Sequence, residues 1–264
     1  MVNDFSQMEV LVTGGTRGIG LSTALAFARK GARCTVTYSW GSVDEEELRE
    51  AFSDCPRMPR IVQADVTEEV DRVRLLDLVA KSAEKIDVFV SNVAQSTAVH
   101  SLQDYDLRTL SKSLGYTAWP LIDYVRAIEE RFAVLPRYVL GYSCPGPDHY
   151  FAGYDMVAAC KAVLETWARY LTYRSFDADC RVNVIRTELV DTESARGVLG
   201  EGGFEFAQRY FPDSIVPADA VAKASLALCS GLLDAVRGQV ITVDRGSRFY
   251  QNSMYMYDDG RFAN

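Results

Sequence analysis

The chain has 264 residues, of which 48% are apolar and 24% charged, and its formal net charge is −8. This composition is that of a globular protein with an ample core, and the negative charge argues against nucleic acid or an anionic membrane surface as the main partner. No apolar run approaches the roughly 18 residues that a membrane-spanning helix needs, and the N-terminus lacks the basic-then-apolar pattern of a signal peptide.

Short β-type runs alternate with longer helical runs along the chain. The predicted strands are Met8–Thr13, Arg33–Ser39, Arg60–Ala64, Ile86–Ser91, Arg137–Ser143, Arg181–Arg186 and Gln239–Val243. The predicted helices are Gly18–Lys30, Val43–Phe52, Thr67–Lys85, Leu107–Phe132 with a bend at Pro120, Tyr154–Arg174 and Pro217–Ser230. This alternation predicts one α/β domain over residues 1–264, a Rossmann-type doubly wound parallel sheet of about seven strands with helices on both faces.

The segment 191–213 interrupts the alternation between the sixth strand and the helix that follows. Glycines stand at positions 197, 200, 202 and 203, and no strand or helix is predicted there. We expect this segment to be a mobile loop that closes over a substrate.

The six cysteines are scattered and form no C-x-x-C pair, and the chain has two histidines. In a chain of this size the pattern predicts reduced thiols, a cytoplasmic location and no metal site.

A glycine-rich turn follows the first strand. It reads Thr13-Gly14-Gly15-Thr16-Arg17-Gly18-Ile19-Gly20 and opens the first helix, within a complete βαβ unit. Glycines let the backbone turn tightly and let a pyrophosphate approach a helix N-terminus. The turn therefore predicts a dinucleotide site that includes Gly14, Thr16, Arg17, Gly18, Ile19 and Gly20.

The end of the second strand, Thr37-Tyr38-Ser39-Trp40, contains no acid to bind the ribose 2′-hydroxyl of NAD. Arg17 could instead face a 2′-phosphate, with Ser39 as a hydrogen-bond donor. The sequence favours NADP(H) over NAD(H) and leaves NAD(H) open.

Tyr154 and Lys161 are seven residues apart in a predicted helix, which places both on one face about two turns apart. An ammonium near a phenol favours the phenolate and is expected to lower the pKa of Tyr154. The pair is then a candidate proton donor with its activator.

On these residues the chain resembles the short-chain dehydrogenase/reductase family over nearly its whole length. Further matching pieces are Asp65-Val66, Ser91-Asn92-Val93-Ala94, Ser143, Arg181-Val182-Asn183 and Gly238-Gln239. The resemblance implies that Asp65 and Val66 contact an adenine, and that Asn92 lies by the ribose with Ala94 in the same cofactor-binding stretch. It also implies that Val190 and Thr192 hold the nicotinamide carboxamide, that Lys161 holds ribose hydroxyls, and that Ser143 assists Tyr154 in catalysis.

The seven-residue spacing is similar to that of the enoyl-acyl-carrier-protein reductases within this family. Cys144 stands where several of those enzymes have a second tyrosine, and Ser143, Tyr142 and Tyr150 are candidate substitutes. The segment Arg186-Thr187-Glu188 replaces a usual Pro-Gly pair and leaves the substrate open.

The leading hypothesis is an NADPH-dependent reductase of an activated enoyl thioester in fatty-acid or secondary-metabolite biosynthesis. A carbonyl reductase or dehydrogenase is the first alternative, and a non-catalytic NADP(H)-binding sensor is the second. The substrate would be a small molecule or carrier-bound, and the resemblance implies a homotetramer.

Overall fold

The computed structural model describes residues 4–40, 44–95 and 97–251. Its seven strands all run parallel in one sheet, in the order β3-β2-β1-β4-β5-β6-β7. The strands are β1 Glu9–Val12, β2 Arg33–Tyr38, β3 Arg60–Gln63, β4 Val88–Ser91, β5 Tyr138–Ser143, β6 Arg181–Thr187 and β7 Val240–Val243. The predicted doubly wound α/β architecture is confirmed, and each predicted strand is present within a few residues of its expected bounds.

Nine α-helices connect or follow the strands in the described part of the chain. They are α1 Gly18–Arg29, α2 Glu45–Ala51, α3 Glu69–Ala80, α4 Leu107–Thr117, α5 Trp119–Phe132, α6 Asp155–Arg174, α7 Glu193–Tyr210, α8 Ala218–Leu228 and α9 Ser247–Tyr250. The predicted start of the second helix, Val43, lies outside the described residues. Asp44 caps that helix by accepting hydrogen bonds from the backbone of Glu46 and Glu47.

The single helix predicted over Leu107–Phe132 is two helices. Ala118, with φ −108° and ψ −46°, is both the C-cap of α4 and the N-cap of α5, and Pro120 lies in the first turn of α5. Proline lacks the N–H that would continue the α4 ladder, but it is well tolerated in a first turn. The chain therefore stops one helix and starts another where a bend was expected.

The segment 191–213, expected to be a loop, is mostly helical. Thr192 caps α7 by accepting a hydrogen bond of 3.1 Å from the backbone N–H of Ala195, and Phe204 is fully buried. Gly200 breaks the helix with φ 68° and ψ 161°. Capping and burial thus outweigh the low helix propensity of four glycines. Mobility of this segment stays a prediction.

Two apolar clusters cover the two faces of the sheet. On one face α1 and α8 pack together over the strands, with Phe27 and Leu228 among the buried residues. On the other face α3, α5 and α6 bury residues such as Leu75, Leu121 and Leu164. With both faces covered, the strands are buried and the open ends of the sheet are left for a site.

β1 pairs with β2 on one side and β4 on the other, and the chain order reverses at this point. In open parallel sheets ligands bind at the carboxyl ends of the strands beside such a switch. The glycine turn, Asp65, Asn92 and Ser143 all come at or just after the carboxyl ends of their strands, so the fold gathers them along one edge.

Among the described helices, none is long and apolar enough to span a membrane. Within the same residues no cluster of three His, Cys, Asp or Glu side chains is arranged to hold a metal ion.

Candidate active site

The glycine turn wraps closely against the loop after β4. A Cβ on Gly20 would lie 2.3 Å from the backbone oxygen of Gly14 and 2.6 Å from the amide nitrogen of Asn92. No side chain fits at these distances, so glycine is required at position 20. Gly18 has φ +55°, in the left-handed region, and begins α1.

Asn92 holds this turn in place. Its side-chain amide donates to the carbonyl oxygens of Thr13, at 3.1 Å, and Gly14, at 3.0 Å. Its backbone N–H donates to the Thr13 hydroxyl at 3.2 Å. The predicted ribose neighbour is therefore also the residue that fastens the glycine turn to the end of β4.

The turn fits the phosphates of a dinucleotide. Arg17 occupies the N-cap of α1 but makes no side-chain capping hydrogen bond, so the first N–H groups of α1 are left for a ligand. At the carboxyl end of β6, the hydroxyl of Thr187 is buried and has no hydrogen-bond partner among the described residues. A polar ligand along this edge would satisfy both sets of groups.

The two residues expected to face a 2′-phosphate already have partners. Arg17 pairs with Glu193 across 2.8 Å at the surface, which links the glycine turn to the first residue of α7. Ser39 donates to the carboxylate of Asp65 at 2.8 Å. Tyr116 donates to the same carboxylate, and its ring packs against Trp40 with centroids 5.3 Å apart. The sequence did not identify this aromatic pair beside the expected adenine site.

The other predicted cofactor residues are distributed along the same edge. Thr16 and Ile19 are partly buried in the turn, and Ala94 is exposed beyond β4. The side chains of Val66 and Val190 are buried within the two apolar clusters, at 2% and 4% exposure. These two side chains pack into the core, so a contact with the cofactor would come from their backbone.

Tyr154 stands at the N-cap of α6, at the end of the loop that follows β5. Gly153, just before it, has φ +73° and accepts a hydrogen bond of 3.2 Å from the backbone N–H of Val99. The loops after β4 and β5 therefore meet at the residue that precedes the tyrosine. Asp155, just after it, accepts a hydrogen bond of 2.5 Å from Tyr105.

The thiol of Cys144 lies close enough to the phenol of Tyr154 to influence its pKa. Burial, followed by the charge and the hydrogen bond of Cys144, raises the pKa of Tyr154 well above its usual value. The expectation that Lys161 lowers this pKa is wrong, because the removal of the phenol from water dominates and Lys161 is not among the causes. Tyr154 is therefore firmly protonated at neutral pH.

Lys161 is buried about two turns further along α6, at 5% exposure. Its ammonium donates to the carbonyl oxygen of Tyr142 on β5 at 2.6 Å. Burial lowers the pKa of Lys161, while the nearby Cys144, Cys160 and Glu165 oppose that shift. The ammonium is thus fixed at the carboxyl end of β5, on the side of the sheet that carries Tyr154.

Ser143 has a different partner from the one expected. Its hydroxyl donates to the carboxylate of Glu165 at 2.7 Å, and both side chains are buried. Glu165 in turn holds the guanidinium of Arg186 through both oxygens, at 2.7 to 3.0 Å. Burial disfavours the charge on Arg186, but hydrogen bonds to Glu165 and Asp148 raise its pKa overall. Ser143 therefore belongs to a buried ion-pair network.

The side chain next to the phenol of Tyr154 is that of Cys144. The three residues proposed to replace a second tyrosine, Ser143, Tyr142 and Tyr150, have other partners or are exposed. Tyr142 is buried and hydrogen-bonded to Thr23 and Ser225, and burial raises its pKa to about 12. Tyr150 is 86% exposed.

Sequence reasoning missed Glu165, although a signal for it was present. Glu165 is four residues after Lys161 and eleven after Tyr154, so all three lie on one face of α6. Asp148, which joins Arg186 to Arg248 of α9, carried no signal of this kind because it lies in an irregular loop.

A family model described as enoyl-(acyl carrier protein) reductase matches residues 14–248. The chain belongs to the short-chain dehydrogenase/reductase family. It is therefore an oxidoreductase of a family that binds a nicotinamide cofactor, and both NADPH and NADH users occur among its relatives.

Known proteins similar to this chain catalyse more than one reaction. A 1-cyclohexenylcarbonyl-CoA reductase of Streptomyces collinus is 27% identical over 186 residues, which cover 70% of this chain and 65% of that reductase. A 3-oxoacyl-(acyl-carrier-protein) reductase of Thermotoga maritima is 27% identical over 247 residues, covering 89% of this chain and 96% of that enzyme. The L-sorbose reductase structure from Gluconobacter frateurii has a TM-score of 0.81 at 18% identity, covers 93% of this chain and 98% of its own, and shows the shared fold.

Proposed function

We propose that this oxidoreductase reduces an activated enoyl thioester, with Tyr154 as the hydrogen-bond donor to the thioester carbonyl. The observation that carries the proposal is the placement of Tyr154 and Lys161 on one face of α6, at the same sheet edge as the glycine turn. The family model and the enoyl reductase among the relatives support this reaction class.

The nicotinamide, when bound, supplies a hydride to the β-carbon of the substrate. The electrons of the C=C bond then move towards the carbonyl oxygen as an enolate, and a proton from solvent completes the saturated product at the α-carbon. Tyr154 would donate its hydrogen bond where this negative charge develops. Because the pKa of Tyr154 is raised, the phenol keeps its proton until the charge appears.

Lys161 would hold the ribose hydroxyls of the cofactor with the N–H bonds that remain. Its ammonium has three donors, and the carbonyl of Tyr142 accepts one of them. Thr192 and the rest of the 191–213 segment would close over the substrate and exclude water.

We propose NADPH as the reductant. The Arg17–Glu193 pair has side chains 69% and 78% exposed, and exposed ion pairs contribute little. A 2′-phosphate would compete effectively with Glu193 for this guanidinium. The carboxylate of Asp65 beside Ser39 acts in the opposite direction, because it would repel a phosphate and suits NADH.

Carbonyl reduction is the second candidate. It is supported by the 3-oxoacyl reductase, which aligns over 89% of the chain. Tyr154 would then protonate the carbonyl oxygen directly. A cofactor-binding sensor without turnover is the remaining candidate, and an intact Tyr154–Lys161 arrangement weighs against it.

NADPH oxidation with matched enoyl and keto thioesters tests the proposal. We expect turnover of enoyl substrates, and a loss of about 10²-fold or more in kcat for Tyr154→Phe. Preferred turnover of keto thioesters would contradict enoyl reduction, and tight NADPH binding without any oxidation would support the sensor.

We further propose a homo-oligomer, a tetramer by family resemblance, in the cytoplasm. Exposed aromatic side chains on or beside α5 and α6, such as Trp119, Tyr170 and Tyr173, support contact between subunits through these helices. The six cysteines are all free, which supports a reducing compartment. We propose that the substrate is a thioester, either as a free small molecule or bound to a carrier protein.

A further inference from the structure

Ser143 has no proton left for a substrate. A serine hydroxyl has one O–H donor, and that of Ser143 is donated to Glu165 at 2.7 Å. Glu165 accepts from Arg186 through both of its oxygens, and a carboxylate held by a guanidinium is an acceptor only. The hydroxyl must therefore act as the donor in this contact.

The ion pair that holds this proton is buried. The side chains of Arg186 and Glu165 are 8% and 5% exposed, so water screens neither charge. If the Ser143 hydroxyl turned to donate its hydrogen bond to a neutral substrate carbonyl, the buried carboxylate of Glu165 would lose one of its hydrogen-bond donors. Leaving a buried carboxylate with fewer donors costs free energy.

The same pair also fixes the loop between β5 and α6. Arg186 donates to Asp148 in this loop, and Asp148 accepts a second hydrogen bond of 2.9 Å from Arg248 on α9. The loop begins with Cys144 and ends at Tyr154, the N-cap of α6. Its position is therefore tied to β6 and α9 through Arg186.

We propose that Glu165 and Arg186 are positioning residues that withdraw Ser143 from the substrate site and set Cys144 beside Tyr154, so that Tyr154 is the single hydroxyl donor to the reacting oxygen. The inference rests on the proposed function and deepens it. In enoyl reduction the negative charge is spread over a conjugated enolate, and one hydrogen-bond donor to the carbonyl oxygen is enough to stabilise it. In ketone reduction the oxygen must be fully protonated, and a single donor suits that reaction less well.

The first test compares kcat and KM of Ser143→Ala and Tyr154→Phe with an enoyl thioester. Ser175→Ala is the matched control, because Ser175 is also buried, at 3% exposure, and donates to a backbone oxygen at the far end of α6. We expect Ser143→Ala to lower kcat less than about 5-fold, as the control does, and Tyr154→Phe to lower it about 10²- to 10³-fold.

A loss of 10²-fold or more in Ser143→Ala, with the Ser175→Ala control and Tm intact, would overturn the inference and leave the proposed function standing. Full activity of Tyr154→Phe would instead overturn the proposed function. The two failures are therefore distinguishable.

The second test removes both charges, with Glu165→Met combined with Arg186→Met, so that no unpaired buried charge remains. We expect the protein to fold and to keep its Kd for NADPH within 2-fold, while kcat falls about 10-fold or more because Tyr154 loses its fixed position. An unchanged kcat in this folded variant would show that the pair is only structural, and would contradict the proposal.

Discussion

The buried Glu165–Arg186 pair gives a stability prediction that does not depend on the reaction. Replacement of Arg186 by Met leaves the carboxylate of Glu165 at 5% exposure without its bidentate partner. Breaking a buried pair in this way costs about 3–5 kcal/mol of unfolding free energy. For a chain of this size, that corresponds to a fall in Tm of about 6–20 °C.

Removal of both partners should cost much less. With Glu165→Met and Arg186→Met together, the desolvation of two charges is avoided, and we expect an unfolding free energy within about 2 kcal/mol of the wild type. The surface pair Arg29–Asp54, at 3.0 Å but 51% and 59% exposed, is the matched control. Replacement of Arg29 by Met should shift Tm only slightly, since exposed ion pairs contribute little.

Urea unfolding followed by circular dichroism, supported by calorimetric Tm values, measures these three variants together with the single variant Glu165→Met. The reasoning would be refuted if Arg186→Met were as stable as the Arg29→Met control. It would also be refuted if the double variant lost as much as the sum of its two single variants, because the two charges would then be independent.

Three further outcomes follow from the site. Gly20→Ala should lose about 1–3 kcal/mol of stability and most of the affinity for the cofactor, because the added methyl would lie 2.3 Å from the backbone oxygen of Gly14. An NADPH affinity equal to that of the wild type, measured by fluorescence titration, would contradict this prediction. Arg17→Ala should raise KM for NADPH by about 10-fold and leave KM for NADH within 2-fold; equal changes in both would exclude a 2′-phosphate contact. Burial lowers the pKa of Lys161 and raises the pKa of Tyr154, so Lys161 should be the first of the two to lose its proton as the pH rises. We therefore expect kcat/KM to fall at high pH, with a midpoint below the usual lysine pKa of about 10.4. Lys161→Arg should move that limb to higher pH, and an unmoved limb would assign it to another group.

The architecture could be predicted from the sequence because two signals were strong, the alternation of strand and helix patterns and the position of the glycine turn. Strand and helix runs alternate along the chain apart from the segment 191–213, and the glycine turn follows the first strand directly. The segment 191–213 was misjudged for a physical reason. Its glycines suggested a loop, while the Thr192 cap and the burial of Phe204, which are tertiary features, produce α7.

The sequence named candidate site residues, but it did not predict their electrostatics. Tyr154 and Lys161 could be found from helical spacing, but the pKa of Tyr154 depends on burial, which no spacing reveals. Ser143 could be located at the end of β5, but its hydrogen bond to Glu165 joins two separate elements, β5 and α6, and no spacing along the chain predicts that contact.

The most direct test of the central claim is the position of the transferred hydride in the product. NADPH deuterated at the transferring C4 position, incubated with the protein and an enoyl thioester, should give a product with deuterium at the β-carbon, analysed by NMR. Tyr154→Phe should lower the rate of this transfer about 10²-fold or more without moving the label. If a parallel incubation with the matched keto thioester gave a deuterated hydroxy thioester while no label entered the enoyl substrate, the account would be contradicted.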